Sequence, residues 1–300
     1  MTNFADRLTI SMREEGNPLC VGLDPHLELV PAIFRKRPSS LPDTDDIKKL
    51  VFSVIDRVQG RVAAVKPQSA FYERLGSSGI TLLAEVISYA RSKGLLVILD
   101  AKRNDIGSTA NAYAQAYLGN VTDLDVDAIT VNPYLGSDGI RPFSDECLKY
   151  DKGIFVLAKT SNDSSSEIQD RSIDGDYSVY ELVSKMVHSF LKENIGSETG
   201  WSSIGVVVGA TQPRDALRIR EILPQSLFLI PGYGAQGASA QEAMSGFVRV
   251  NGHLEGGIVS SSRAIMFPTR DLEVSARDWD EQFERSLSRS IAELSVAAYG

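Results

Sequence analysis

The sequence predicts a (β/α)8 barrel of the α/β class, and three observations carry that prediction. Eight short apolar runs rich in Val, Ile and Leu recur without the polar alternation of half-exposed strands, as parallel strands covered on both faces read. Stretches with the spacing of an amphipathic helix separate them. The 300 residues suit one barrel of about 250 residues with extensions. With no linker, internal repeat or low-complexity tract to divide it, the whole of 1–300 reads as a single barrel domain with flanking N-terminal and C-terminal helices.

In chain order, the strands are expected at 19–23, 62–65, 95–99, 128–131, 154–158, 204–208, 227–230 and 257–260. The first sixteen residues place Asp6, Arg7, Arg13, Glu14 and Glu15 among apolar positions, so they lack the apolar core of a signal peptide. No other segment approaches the ~20 apolar residues of a membrane span. Residues 35–46 are rich in Pro, Ser and Asp and read as a surface excursion. Ile80, Leu83, Ile87 and Ala90 share one helix face that Gly94 ends; Val179, Leu182, Val183, Met186 and Phe190 repeat the pattern. Thr211 is expected to cap a helix with Pro213 in its first turn and Leu217, Ile219 and Ile222 on its apolar face. Trp279, Phe283, Leu287, Ile291 and Leu294 mark the closing helix. Segments 159–177 and 232–255 are longer than βα turns usually are and are candidate lids at the end of the barrel that carries active sites.

Composition excludes several classes of function. Hydrophobic residues are 43% and charged residues 23%, ordinary values for a chain that buries a core. With 31 basic against 39 acidic residues, the net charge of -8 disfavours non-specific nucleic-acid binding but allows a local basic pocket for an anionic metabolite. Cys20 and Cys147 cannot make a disulfide framework, and with His26, His188 and His253 they form no zinc spacing, so a reducing cytoplasm is expected. No P-loop, H-E-x-x-H, G-x-S-x-G or calcium-loop pattern is present, and the expectation is chemistry without metal or organic cofactor.

The informative polar residues fall at strand ends. The first strand ends in Asp24, the second in Lys66, the third in Asp100 with Lys102, and the fifth in Lys159 with Thr160 and Ser161. In a barrel these converge on the C-terminal rim. Alternation along a strand puts Asp100 and Lys102 on the same side, and carboxylates around Lys102 favour its ammonium form, a proton donor rather than a Schiff-base nucleophile. A structural ion-pair network is the alternative. After the seventh and eighth strands come Pro231-Gly-Tyr-Gly-Ala-Gln236-Gly and Ser260-Ser-Ser-Arg263, where barrels commonly hold phosphate. Gly232, Gly234 and Gly237 also match G-x-G-x-x-G, with Glu255 as a ribose acid. Six strand–helix units precede that motif and one strand follows, so no dinucleotide-binding half remains. His26 and His253 fall in expected rim loops, and His188 reads as a boundary residue on a helix.

The segments Gly22-Leu-Asp24-Pro, Val65-Lys66-Pro-Gln-Ser-Ala-Phe-Tyr-Glu73, Asp100-Ala-Lys102-Arg-Asn-Asp105-Ile-Gly-Ser-Thr109, Val131-Asn-Pro-Tyr134, Ala158-Lys-Thr-Ser-Asn162, Val208-Gly-Ala-Thr211 and Pro231-Gly-Tyr-Gly through Arg263 cover most of the chain. Together they resemble the orotidine 5'-phosphate decarboxylase family, in its longer bacterial-type branch. The resemblance implies conversion of orotidine 5'-phosphate to UMP and CO2, the last step of pyrimidine nucleotide synthesis, in a cytoplasmic homodimer with no cofactor. By that match, Lys102 would stabilise and protonate the C6 carbanion, Asp100 would hold Lys102, and Lys66 would complete the charge array and reach the ribose. Asp105 and Thr109 would enter from the neighbouring subunit, placing the site at a dimer interface. Asp24 and Thr109 match ribose contacts, Thr160 and Ser161 the pyrimidine segment, and Gln236, Arg263 and the Ser262 backbone the phosphate grip, with the loop around Gln236 closing over the phosphate. The chain departs from the shorter branch at Gly107 and Ser108, where that branch has Pro and Asn, and Gln68 stands where some relatives have Asn.

Two other readings compete. A superfamily relative holds Mg2+ with the same motif, but that chemistry needs a further carboxylate where this chain offers Lys66. A non-catalytic nucleotide-binding barrel would have no need of Lys102 between Asp100 and Asp105.

Overall fold

The apolar runs become eight strands, β1 Leu19–Leu23, β2 Ala64–Pro67, β3 Leu96–Arg103, β4 Ala128–Val131, β5 Gly153–Lys159, β6 Ser202–Val208, β7 Ser226–Ile230 and β8 Gly257–Ser261. In the computed structural model, which describes residues 2–37, 40–173, 175–234 and 237–300, they close into a barrel of parallel strands with β8 beside β1. Most strand ends fall within two residues of the sequence expectation, and β2 and β3 depart in the direction that matters for the site. β2 starts later and runs through Lys66 to Pro67, and β3 continues past its apolar run through Asp100 and Lys102. Polar residues extend these strands because their side chains meet partners inside the barrel mouth.

The interior is layered by strand alternation. Cys20, Ala64, Ile98, Ala128 and Phe155 form a lower apolar layer; on β2 and β3, Lys66 and Asp100 stand two residues further on, one layer up. Helix Phe4–Glu15 plugs the N-terminal mouth, with Phe4, Ala5, Leu8 and Met12 packed into that lower layer. The Phe4 ring meets Phe155 edge-on at 6.0 Å. A Cβ on Gly153 would lie 2.1 Å from the same ring, so glycine opens β5 for steric reasons. The expected flanking helix is thus the floor of the barrel.

Outside, helices Gly76–Ser92, Val179–Leu191, Pro213–Ile222 and Ala276–Tyr299 occupy the expected stretches. Gly94, at φ 79°, ends the first of them. Leu182 and Leu217 are exposed, because the buried stripes run through Ser184, Val187 and Leu191 and through Ala216 and Ile219 instead. Thr211 is not the cap; Gln212 stands at that position, and the Thr211 hydroxyl reaches the Ser161 carbonyl at 3.5 Å. His188 is exposed on its helix.

Segment 232–255 carries a short helix, Ala240–Ala243, and an antiparallel pair, Val248–Val250 with His253–Glu255, that returns the chain to the N-terminal face. His253 therefore lies at the opposite end of the barrel from the rim, 2.5 Å from Glu255 and stacked on Tyr299. Glu255 is held by Arg13 and Trp201, which removes it as a ribose acid. No described helix is long and apolar enough to cross a membrane.

Phe4→Ala is expected to cost about 3–5 kcal/mol in urea unfolding, the usual range for a buried aromatic. Gly153→Ala is expected to destabilise wild type by overpacking, and to be less harmful when Phe4 is already Ala. Additive losses in that double-mutant cycle would refute the close packing of these two positions.

Candidate active site

β3 delivers the central group. Asp100 follows Ile98 by one alternation, so its carboxylate rises from the apolar layer into the barrel mouth. There it bridges two ammonium groups, accepting from Lys66 Nζ at 3.0 Å and from Lys102 Nζ at 2.5 Å. Burial opposes ionisation of Asp100, but the charges of Lys66 and Lys102 and their hydrogen bonds outweigh it and hold the carboxyl well below the usual range. Burial likewise acts against the charge on Lys66, and Asp100, then Asp24, overcome it and raise its pKa above that of an ordinary lysine.

The backbone is shaped to make this bridge. Lys102 has φ 51°, in the left-handed region uncommon for residues with a side chain, at a break in register between Leu99 and Arg103. Such a conformation costs of order 1–3 kcal/mol and persists where neighbours enforce it. Thr130 on β4 is the enforcing residue. Its hydroxyl oxygen accepts the amides of Ala101 at 3.0 Å and Lys102 at 2.9 Å, and its proton goes to Asp100 at 3.0 Å. Sequence reasoning missed Thr130, whose only signal is one hydroxyl within the apolar run of β4.

Above the array lies a cleft of two lobes. One, of about 580 Å3, is lined by Lys66, Asp100, Lys102, Thr130, Thr160, Ser161 and Asn162, with Val207, Leu229 and Pro231 as its apolar surfaces. The other, of about 700 Å3, shares Lys66, Asp100 and Pro231 and adds Asp24, His26, Gln68, Ser262 and Arg263. Buried oxygens of Asp24 and Ser262 have no hydrogen-bond partner among the described residues, as expected of groups that meet a ligand. Ser262 can stand there because Gly22 lacks a side chain; a Cβ on Gly22 would lie 2.5 Å from that of Ser262. Arg263 makes no ion pair with the described residues and faces the second lobe, where a bidentate anion contact is available. Among the described residues, no cluster of three or more His, Cys, Asp or Glu is placed to hold a metal ion.

The other expected residues divide. Thr160 and Ser161 line the first lobe, but Lys159 does not. A register shift between Leu157 and Lys159 turns its side chain out of the barrel, where it is buried against Asp170, Asp215 at 3.4 Å and the Tyr180 ring. Asp105 accepts the Ile106 amide at 2.8 Å and Thr109 is exposed on helix Gly107–Leu118; neither lines either lobe. Gln236 lies outside the described residues.

Residues 17–267 match the family model described as Orotidine 5'-phosphate decarboxylase / HUMPS family. The chain belongs to that family. An orotidine 5'-phosphate decarboxylase of Caldicellulosiruptor bescii is 40% identical over 97% of this chain and 100% of its own. A crystal structure of a candidate orotidine 5'-phosphate decarboxylase from Streptomyces avermitilis aligns with a TM-score of 0.82 at 33% identity, covering 99% of this chain and 96% of the other. Leishmania donovani OMP decarboxylase aligns at 0.75 and 30%, covering 98% of each. Family membership and the closed barrel agree with the sequence expectation, and every described strand-end residue expected in the cleft except Lys159 reaches it.

Asp100→Asn leaves the buried Lys66 ammonium without its nearest counter-charge and is expected to cost about 3–5 kcal/mol. Because the folded-state carboxyl is held below its unfolded value, its contribution is complete above about pH 4 and lost as pH falls through the lower folded value. Urea unfolding should therefore show a constant gap between wild type and variant from pH 5 to 8, closing in stronger acid.

Proposed function

We propose that the protein decarboxylates orotidine 5'-phosphate to UMP and CO2, acting as a carbon–carbon lyase in pyrimidine nucleotide synthesis. The single observation that carries this reading is the Lys66–Asp100–Lys102 array, in which one ionised carboxylate holds two ammonium groups at the floor of the two-lobed cleft. In the first lobe, Thr160 and Ser161 receive the pyrimidine. In the second, Asp24 binds the ribose, while Arg263, the Ser262 backbone and Gln236 hold the phosphate as the loop around Gln236 closes.

When the bond between C6 and the carboxylate breaks, CO2 departs and the electron pair stays on C6 in the ring plane, outside the reach of the π system. A cation fixed beside C6 stabilises that charge as it develops. The Lys102 ammonium then gives a proton to C6, and the resulting amine regains one from water after product leaves. Asp100 aims Lys102 through the 2.5 Å contact with its ammonium, while Lys66 stabilises Asp100 and reaches the ribose. No metal or organic cofactor takes part in this scheme. Lys66 stands against Asp100 where a Mg2+-dependent relative would need another carboxylate, which favours decarboxylation over that chemistry.

The chain works as one barrel domain that pairs into a homodimer, with Asp105 and Thr109 completing the partner's cleft. Their position outside their own cleft supports this reading. Both cysteines are buried free thiols, which suits a reducing cytoplasm.

An ultraviolet assay with orotidine 5'-phosphate in excess EDTA should show UMP formation by wild type, and Lys102→Ala should lose at least about 10²–10⁴-fold in rate while remaining folded. Absence of turnover in folded wild type would overturn the reading. Lys102→Ala and Asp105→Ala, each inactive alone, should regain roughly a quarter of wild-type activity when co-expressed, since half of randomly paired dimers carry one intact site. No recovery in confirmed mixed dimers would refute the shared site.

A further inference from the structure

The wall of the first lobe carries a hydrogen-bond arrangement that uses up most of one hydroxyl. Thr160 Oγ1 accepts from Gln169 Nε2 at 2.8 Å and donates its only proton to Asn162 Oδ1 at 2.6 Å. The orientation of the Gln169 amide is fixed independently, because its Oε1 accepts the Thr160 backbone amide at 2.9 Å, which can only donate. With one lone pair and the proton engaged, Thr160 has one lone pair left for the cleft. Asn162, having turned its oxygen to Thr160, retains its NH2 group as a donor.

Gln169 is itself held in place. Its backbone N–H donates to the Ser165 carbonyl at 2.8 Å, and its backbone carbonyl accepts the Tyr180 N–H at 3.1 Å. The next residue, Asp170, is tied to the buried ammonium of Lys159, which Asp215 at 3.4 Å also contacts. The lysine that the register shift removes from the cleft thus secures the loop behind it.

We propose that Gln169 and Asn162 are specificity-determining residues that fix the Thr160 hydroxyl as an acceptor, so that this wall selects a pyrimidine with a ring N–H between carbonyls over a 4-aminopyrimidine. A dione ring offers an acceptor–donor–acceptor edge, which an acceptor at Thr160 and a donor at Asn162 complement. An aminopyrimidine offers an unprotonated ring nitrogen at that place, which would face the Thr160 lone pair. Sites built around a particular donor or acceptor discriminate strongly, because the wrong partner leaves polar groups unpaired. This inference rests on the proposed binding of a pyrimidine nucleotide in this cleft.

The test is calorimetric titration with UMP and CMP, which share ribose and phosphate and differ at this edge, with thermal unfolding run on each variant. Wild type should prefer UMP by on the order of 100-fold or more. Gln169→Ala and Thr160→Val should each reduce that preference at least about tenfold, through weaker UMP binding with CMP unchanged or improved. Asn162→Asp, which keeps an acceptor for the Thr160 proton but replaces the NH2 donor offered to the ring by an acceptor, should shift the preference towards CMP, and an unshifted UMP preference in that folded variant would count against the role of Asn162. An unchanged UMP-to-CMP ratio in folded Gln169→Ala and Thr160→Val, or equal loss for both ligands, would overturn the assignment while leaving the decarboxylase reading intact. Failure of wild type to bind either nucleotide would overturn both.

Discussion

A carboxylate buried at the mouth of a barrel is unfavourable unless cations meet it, and Asp100 meets Lys66 and Lys102. Much of the site follows from satisfying that one charge. Lys102 adopts a left-handed backbone conformation to reach it, Thr130 holds that conformation while also donating to Asp100, and β3 runs on past its apolar stretch to deliver all of them. Removing the carboxylate would leave two lysines repelling each other in a partly dry pocket. In the proposed reaction, which develops negative charge nearby, keeping it makes each lysine's charge an asset.

The barrel supplies the rigidity that such an arrangement needs. Its lower interior is filled by the aromatic and aliphatic residues of the N-terminal helix and of the strands, so the charged layer rests on packed hydrocarbon and opens only upward. On the neighbouring strands β2 and β3, Lys66 and Asp100 both enter the barrel mouth, where their charged groups meet at 3.0 Å. Two lobes flank that centre, one bordered by hydroxyl and amide groups, the other by Asp24, Ser262 and Arg263, which in the proposed reading receive the heterocycle and the sugar phosphate respectively. Binding energy gathered far from the reacting carbon can be used to position it.

Particular residues show how far the sequence could be read. Asp100, Lys102 and Lys66 were legible because charges at strand ends converge in a barrel whatever the loop details. Lys159 satisfied the same rule and failed it, since a register shift of one position reverses the face a side chain takes. Thr130 carried only the faint signal of one hydroxyl in an apolar run, because its importance lies in two amides from the neighbouring strand. His253 lies at the N-terminal end and not at the rim, because the segment 232–255 turns back before β8, which nothing in its residues announces.

The sequence by itself determined the eight-strand alternation, the family and the identity of the charged array, because hydrophobic period and residue type are local properties of the chain. Only the tertiary structure decided which face Lys159 takes, that Thr130 organises the array, and that Gln169 sets the polarity of Thr160. Those depend on register and on hydrogen bonds between segments distant in the chain or folded back on themselves, and a one-dimensional pattern does not encode direction in space.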